Sequence, residues 1–426
     1  MYLKGSKWTM KRRHRRINFW LVAFLLAAVG IFVYLDLVVV PTTPPLFIPT
    51  ATPTRDPKSY AVDAANLYAA GKINQAIATY QQAIQADPQN QDNYIALAQI
   101  QCFTGDYKDA QTNAEDALLL NKNNDMAYAI RGWALGLQGN YLEAEGSIQQ
   151  ALEINPNNPY THAYYTEILA LQLQDGNAPI GTFDKAQSES TNAINLNPNI
   201  METHRARGIL LYVTGNMSEA ITEFETAIKY NANIADLHEL LGEALLNNQQ
   251  YSDAVTELTK AYALDPTDPW PNYYISHTYY QTGNQPLAVQ YAQLAVKDGP
   301  SDPYIEGNLG SMYYWSKDYE KAIPYLRLAV RGGKADDGST VVGLPLSYNN
   351  QVLTFYSRYG LALAFTNQCS EAVQIAQAML DGVKNDDTAV YNAQTIIKTC
   401  EANLTGASTP TVNSGAEQSA SPTPSN

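Results

Sequence analysis

The chain has 426 residues with 41 acidic and 27 basic side chains, a formal net charge of −14. One compact domain is not expected at that length; several segments or a repeat array are. Seven of the basic residues, Lys4 to Arg16, precede any acid, so the remainder sets 20 basic against 41 acidic groups. Such a body repels phosphate backbones, which disfavours nucleic acid as a partner.

Residues 1–16 form a basic amino terminus. Ile17 to Val40 follow as a 24-residue apolar run broken only by Asn18 and Asp36, long enough to cross a hydrocarbon core of about 30 Å as a helix. Trp20 and Tyr34 stand near its ends, where amphipathic rings favour the interface, and the basic cluster of residues 11–16 is expected to stay cytoplasmic. The run is therefore expected to be a single-pass signal-anchor of the cell membrane, with everything after Val40 extracytoplasmic. A cleaved signal peptide is the rival, but the run is too long and Val38-Val39-Val40-Pro41 is not a small-x-small cleavage site. Residues 41–57, rich in Pro and Thr, favour extended polyproline II and read as a linker. At the far end, residues 404–426 are rich in Ser, Thr, Pro and Gly and are expected to be disordered.

Between these segments, residues 58–403 repeat. The stretch from Asp125 to Asn158 reads as two helices broken at Gly139-Asn140 and closed by Asn155-Pro156. Tyr128, Gly132, Leu135, Gly139, Ala144, Ile148, Ala151 and Pro156 occupy positions 4, 8, 11, 15, 20, 24, 27 and 32 of a 34-residue unit. This pattern resembles the tetratricopeptide repeat. The resemblance implies an all-α fold, a right-handed superhelical solenoid of about nine helix-turn-helix units plus a C-terminal capping helix, preceded by one transmembrane helix.

The units start at Pro57, Gln91, Asp125, Pro159, Met201, Ala235, Pro269, Pro303 and Leu353. Position 20 is alanine in all nine, from Ala76 to Ala372; position 27 is alanine in the first eight and Met379 in the ninth. Position 8 is Ala, Gly, Ser or Thr throughout, so close helix contact is expected there. Eight extra residues lengthen the turn of the fourth unit around Gly176-Asn177-Ala178-Pro179, and sixteen, Asp337 to Val352, separate the last two units. Such insertions fall in loops, either on a binding face or as surface drift. Asp387 to Asn403 is the expected cap.

Catalytic chemistry is not evident. His238-Glu239-Leu240-Leu241 begins like a zinc-binding HExxH helix, but Gly242 stands where the second histidine is needed. His162, His204 and His238 share position 4 with Tyr60, Tyr94, Tyr128 and Tyr356, and read as replacements for a packing aromatic rather than as metal ligands. Asp336-Asp337-Gly338 lacks the alternating oxygens of a calcium loop, and Gly332-Gly333-Lys334 lacks the upstream glycine of a phosphate loop. A non-enzyme without metal or cofactor is expected. Cys369, in the turn after the first helix of the ninth unit, and Cys400, near the end of the capping helix, fall at the same end of adjacent helices if the cap stacks as a further first helix. In an exported segment that predicts a disulfide, stabilising by about 3–4 kcal/mol. Cys102 reads as a small buried residue.

The resemblance also implies that first helices line a concave groove, with ligand contacts mostly from positions 2, 5, 9 and 12. Those positions hold Arg205 and Tyr212 in the fifth unit, Glu239 and Glu243 in the sixth, and Trp270, Tyr273, His277 and Tyr280 in the seventh. The eighth adds Tyr304, Ser311 and Tyr314, with Trp315 beside them. Polar-tipped rings bury area at little entropic cost, so the aromatic density of units seven and eight marks a binding patch, unless these rings are core. The Lys, Arg and Asn clamp of chaperone-tail binders is missing from positions 5 and 9 of the first three units, Ala61/Ala65, Ile95/Gln99 and Ala129/Trp133. The expected function is a membrane-anchored extracytoplasmic scaffold for a protein or peptide, with a module for cell-envelope glycans as the alternative.

Overall fold

The computed structural model describes residues 18–39, 56–176 and 178–405. The basic amino terminus, all but the end of the Pro/Thr-rich linker, Asn177 and the tail from residue 406 lie outside the described residues. The chain divides into two units, Met1–Asp56 and Pro57–Asn426.

In the first unit, α1 covers Phe19–Tyr34 and runs into a π-helical turn, Leu35–Val39. Its side chains are apolar on every face, the pattern of a helix whose surroundings are apolar all round. Phe19–Val38, 20 residues, is long and apolar enough to cross a membrane, and none of it is buried in protein.

Among the described residues of the second unit, the regular elements are helices and one hairpin. Its first helix pairs are α2 (Pro57–Ala69) with α3 (Ile73–Ala86), α4 (Gln91–Phe103) with α5 (Tyr107–Leu120), and α6 (Asp125–Leu137) with α7 (Tyr141–Ile154). The middle pairs are α8 (Pro159–Gln174) with α9 (Thr182–Leu196), α10 (Met201–Val213) with α11 (Met217–Tyr230), and α12 (Ala235–Asn247) with α13 (Tyr251–Leu264). Then come α14 (Trp270–Gln281) with α15 (Gln285–Asp298), α16 (Pro303–Trp315) with α17 (Tyr319–Arg331), and α18 (Asn350–Phe365) with α19 (Cys369–Gly382), before the cap α20 (Asp387–Thr405).

Local chemistry starts and stops these helices at the repeat period. Asn90, Asn124, Asn158 and Asp302 cap α4, α6, α8 and α16 through their side-chain oxygens, which satisfies backbone donors that the first turn leaves open. The turn inside each pair then places a residue at positive φ: glycine in six pairs, twice in the longer fourth turn, but Gln249, Lys317 and Asn367 in the others. That left-handed step reverses the chain and lets the second helix fold back.

Packing follows the small residues. All nine position-20 alanines, and the eight at position 27, are 0% exposed. Position 8 fits position 24 by volume. A Cβ added to Gly132, Gly208, Gly242 or Gly310 would lie 2.8 Å or less from Ile148, Phe224, Leu258 or Leu326 respectively. Where position 8 carries Thr166 or Ser276, position 24 is Ser190 or Ala292.

Four details differ from the sequence reading. The last helix runs to Thr405, so Leu404 and Thr405 are helical. α18 begins at Asn350, three residues before the expected start. Cys369 opens α19 rather than lying in the turn before it. The insertion between the last two pairs holds a β-hairpin, β1 (Gly333–Lys334) against antiparallel β2 (Thr340–Val341), which the Gly-rich sequence had not suggested.

The first pair also meets the fifth and sixth. Asn233 Nδ2 donates to the Ala69 carbonyl at 2.8 Å, and Tyr68 packs on Met201, Ile234 and Leu237. Curvature accumulated over five repeats brings these segments together, 164 residues apart in sequence.

Candidate partner-binding site

The side lined by first helices differs between the two halves of the repeat body. Across pairs two to six it is filled. Trp133 is 0% exposed, stacks on Tyr164 with ring centroids 4.4 Å apart, and meets the edge of Phe103 at 5.0 Å. Its indole N–H donates to Glu167 at 2.8 Å. Glu167 pairs with Arg205, which also donates through Nε to Asp236 at 2.8 Å. Gln99 joins the network by donating to the Tyr164 hydroxyl and to Glu202. Burial pushes the Glu167 carboxyl up, against the pull of Arg205.

Arg205 was expected to meet a ligand. Instead it is 5% exposed, and its guanidinium is held by Glu167 and Asp236. Tyr212 donates to Glu243 and accepts from Asn247 at 2.7 Å. Glu239 lies beside Asp268; burial first, and then that neighbouring carboxyl, push its pKa up. Arg205 is buried, whereas Tyr212, Glu239 and Glu243 are half-buried, and all four join a polar network that ties successive first helices together.

The position-4 histidines do more than fill space. His162, His204 and His238 each bond through Nδ1 to a glutamate on the following helix, Glu189, Glu223 and Glu257, at 2.5–2.6 Å. Each Nε2 meets the carbonyl of Pro156, Pro198 or Ala232 in the preceding turn. Tyr94 uses its hydroxyl on the equivalent Pro88 carbonyl, which explains why the two ring types interchange. Burial works against the charged ring of His162, but its bonds to Glu189 and Pro156 outweigh that and raise its pKa.

Pairs seven to nine leave a small cavity of about 80 Å³. Tyr273, His277, Tyr280 and Ser311 line it, as the repeat positions suggested, together with Asn308, Gln351 and Arg358, which they did not. Gln351 donates to the Tyr273 hydroxyl. Ser311 Oγ and Asn308 Oδ1 are buried without a hydrogen-bond partner, although the Asn308 amide nitrogen donates to Ser276 at 2.8 Å. Arg358 lies 6.0 Å from the Tyr280 ring centroid and forms no ion pair among the described residues. Burial, and then the charge of Arg358, push His277 down to about 4, so its ring is neutral at neutral pH.

The remaining predicted rings act as packing. Trp270 meets Tyr273 edge-on, Tyr304 lies against Phe355, Tyr314 against Tyr319, and Trp315 against Tyr280. Rings engaged with one another make a poor stacking platform, which weakens the glycan alternative. The cavity is far below the several hundred Å³ of a drug-sized pocket and suits the end of one side chain. A wider cleft of about 530 Å³ lies beside Cys369, but its arginines, Arg327 and Arg331, are both paired with Glu371. Cys369 and Cys400 are joined in a disulfide with Cα atoms 5.5 Å apart.

Residues 67–133, 127–158 and 205–269 each match a family profile described as tetratricopeptide repeat. The repeats within residues 67–158 and 205–269 are tetratricopeptide repeats. No curated protein matches the chain. One solved structure, from work on the functional characterization of Pseudomonas aeruginosa pilF, is similar over 48% of this chain and 90% of that one, with 20% identity and a TM-score of 0.40. Within their 34-residue units, Asn308 and Arg358 both sit at position 6, outside the positions searched above. An arginine on a first helix of so acidic a body was the available signal.

Proposed function

We propose that this chain is a non-catalytic, membrane-anchored tetratricopeptide-repeat scaffold that captures an acidic peptide segment of a partner protein on the first-helix side of units seven to nine. The carrying observation is Arg358, a cation without a carboxylate partner beside the unpaired Ser311 and Asn308 oxygens. Buried polar atoms are normally paired, so an incoming carboxylate and its amide would complete what the fold leaves open. Aromatic walls from Tyr280 and Phe355 suit an apolar neighbour of that acid. Placement outside the cytoplasm is part of the proposal. It draws support from the basic cluster before the apolar run and from the paired cysteines.

The test is selection of binding peptides from a random library on the full chain in detergent micelles. Selected peptides should share an acidic residue and bind Arg358→Ala about tenfold more weakly, the loss of one charge-assisted hydrogen bond. Peptides without acidic residues, or equal binding by the variant, would remove the reading.

A further inference from the structure

The hairpin between the eighth and ninth repeats brings two carboxylates to bear on a buried ionisable group. Glu306 stands at position 4 of α16, where seven of the other eight repeats place a tyrosine or histidine, which in the second, fourth, fifth and sixth repeats reaches a carbonyl of the preceding turn. An ionised carboxylate has no proton to donate and cannot make that bond. Its side chain is nonetheless 1% exposed, and Oε2 has no hydrogen-bond partner. From the hairpin, Asp336 and Asp337 both act on it. From α17 it faces Tyr325, whose own hydroxyl feels Glu306 and Asp336. On its own helix the nearest acid, Asp302, is engaged in capping Tyr304 and Ile305. The hairpin's cation, Lys334, donates to the Gly338 carbonyl and the Thr340 hydroxyl and acts on Asp337, while Glu306 itself feels only burial and the two aspartates.

We propose that Glu306 is a pH-sensitive latch: the hairpin of residues 333–341 stays docked while Glu306 is protonated and is driven off as it ionises. Burial first, and then the charges of Asp336 and Asp337, push the Glu306 pKa up to about 7. A carboxyl raised in the docked form favours docking at low pH. That advantage is lost as pH climbs from the ordinary carboxyl range through about 7. Gly332, Gly333 and Gly338, at the hairpin's base and tip, all have positive φ, a conformation glycine adopts without strain. Beyond it the chain is tied to α17 through Leu344 N–H and the Ala329 carbonyl, then enters α18. Because α18 supplies Arg358, release of the hairpin slackens the approach to the helix that carries the cavity's cation.

Hydrogen exchange followed by mass spectrometry, on the full chain in detergent micelles, tests the latch without any ligand. After correction for intrinsic exchange, protection of residues 332–343 should fall about tenfold between pH 6 and 8 in the parent protein. In Glu306→Gln it should stay high and flat. Asp336→Asn with Asp337→Asn should shrink the fall, and this variant decides the matter if Glu306→Gln does not fold. Protection that is flat in the parent, or that falls equally in whichever folded variant is compared, would overturn the latch. Neither result depends on whether a peptide binds near Arg358.

Discussion

Two arginines of the repeat body show how a residue's neighbours decide its role. Arg205 is buried between Glu167 and Asp236, with its guanidinium over the rings of Phe103 and Trp133 at about 5.5 Å. Removing one member of such a network leaves its partner's charge buried and unmatched. Arg205→Ala should therefore lower stability by about 3–5 kcal/mol in urea denaturation. A double variant with Glu167→Gln and Arg205→Met should recover part of that loss, because the fully buried carboxylate is no longer stranded and Asp236 is partly open to solvent. A loss near zero would mean the network adds nothing to the fold. Arg358 lacks such partners, which is why a ligand role is proposed for one arginine and not the other. Either side chain reads alike in the chain, as an arginine on a first helix.

At the scale of the element, the helix pair is a unit of matched volumes. Position 8 was legible as small, but the reason lies across the pair. Gly242 leaves room for Leu258, whose Cγ would stand 2.5 Å from an added Cβ. Gly242→Ala should overpack this joint by about 1–3 kcal/mol. Adding Leu258→Ala should cost less than the sum of the two single changes, since the second makes room for the first. Thermal melts of the single and double variants measure the coupling, and strict additivity would show that the two positions do not share a volume. The histidine clamps belong to this scale as well. Their sequence signal was the exchange of Tyr with His at position 4, whereas the glutamate that completes each clamp sits on the following helix.

For the repeat body as a whole, the two ends are treated differently. The first pair is held by contact with the fifth and sixth through Tyr68 and Asn233. The last pair is covered by α20 and pinned by the Cys369–Cys400 disulfide. Peptide mapping without reduction, on protein taken from native membranes, should recover Cys369 and Cys400 linked; free thiols would remove a support for placement outside the cytoplasm. Cys369→Ser with Cys400→Ser should destabilise the body by about 3–4 kcal/mol in urea denaturation, the loop-closure entropy of a crosslink this long.

How far the sequence could be read follows from the range of the forces involved. Asn and Asp caps, left-handed turn residues and buried alanines act within one 34-residue unit, so period, helix pairs and core positions were all present in the chain. The hairpin was not, because its two-residue strands have no alternation to detect. The candidate site was half legible: Tyr273, His277, Tyr280 and Ser311 follow from repeat position, but Asn308 and Arg358 required the geometry. Arg205 finds Glu167 and Asp236 38 and 31 residues away, and Tyr68 meets residues of the fifth and sixth repeats. Such contacts depend on a small rotation repeated at every helix pair. By itself the sequence determined which faces pack; only the tertiary structure, by summing those rotations, decided which polar groups were paired and which were left open.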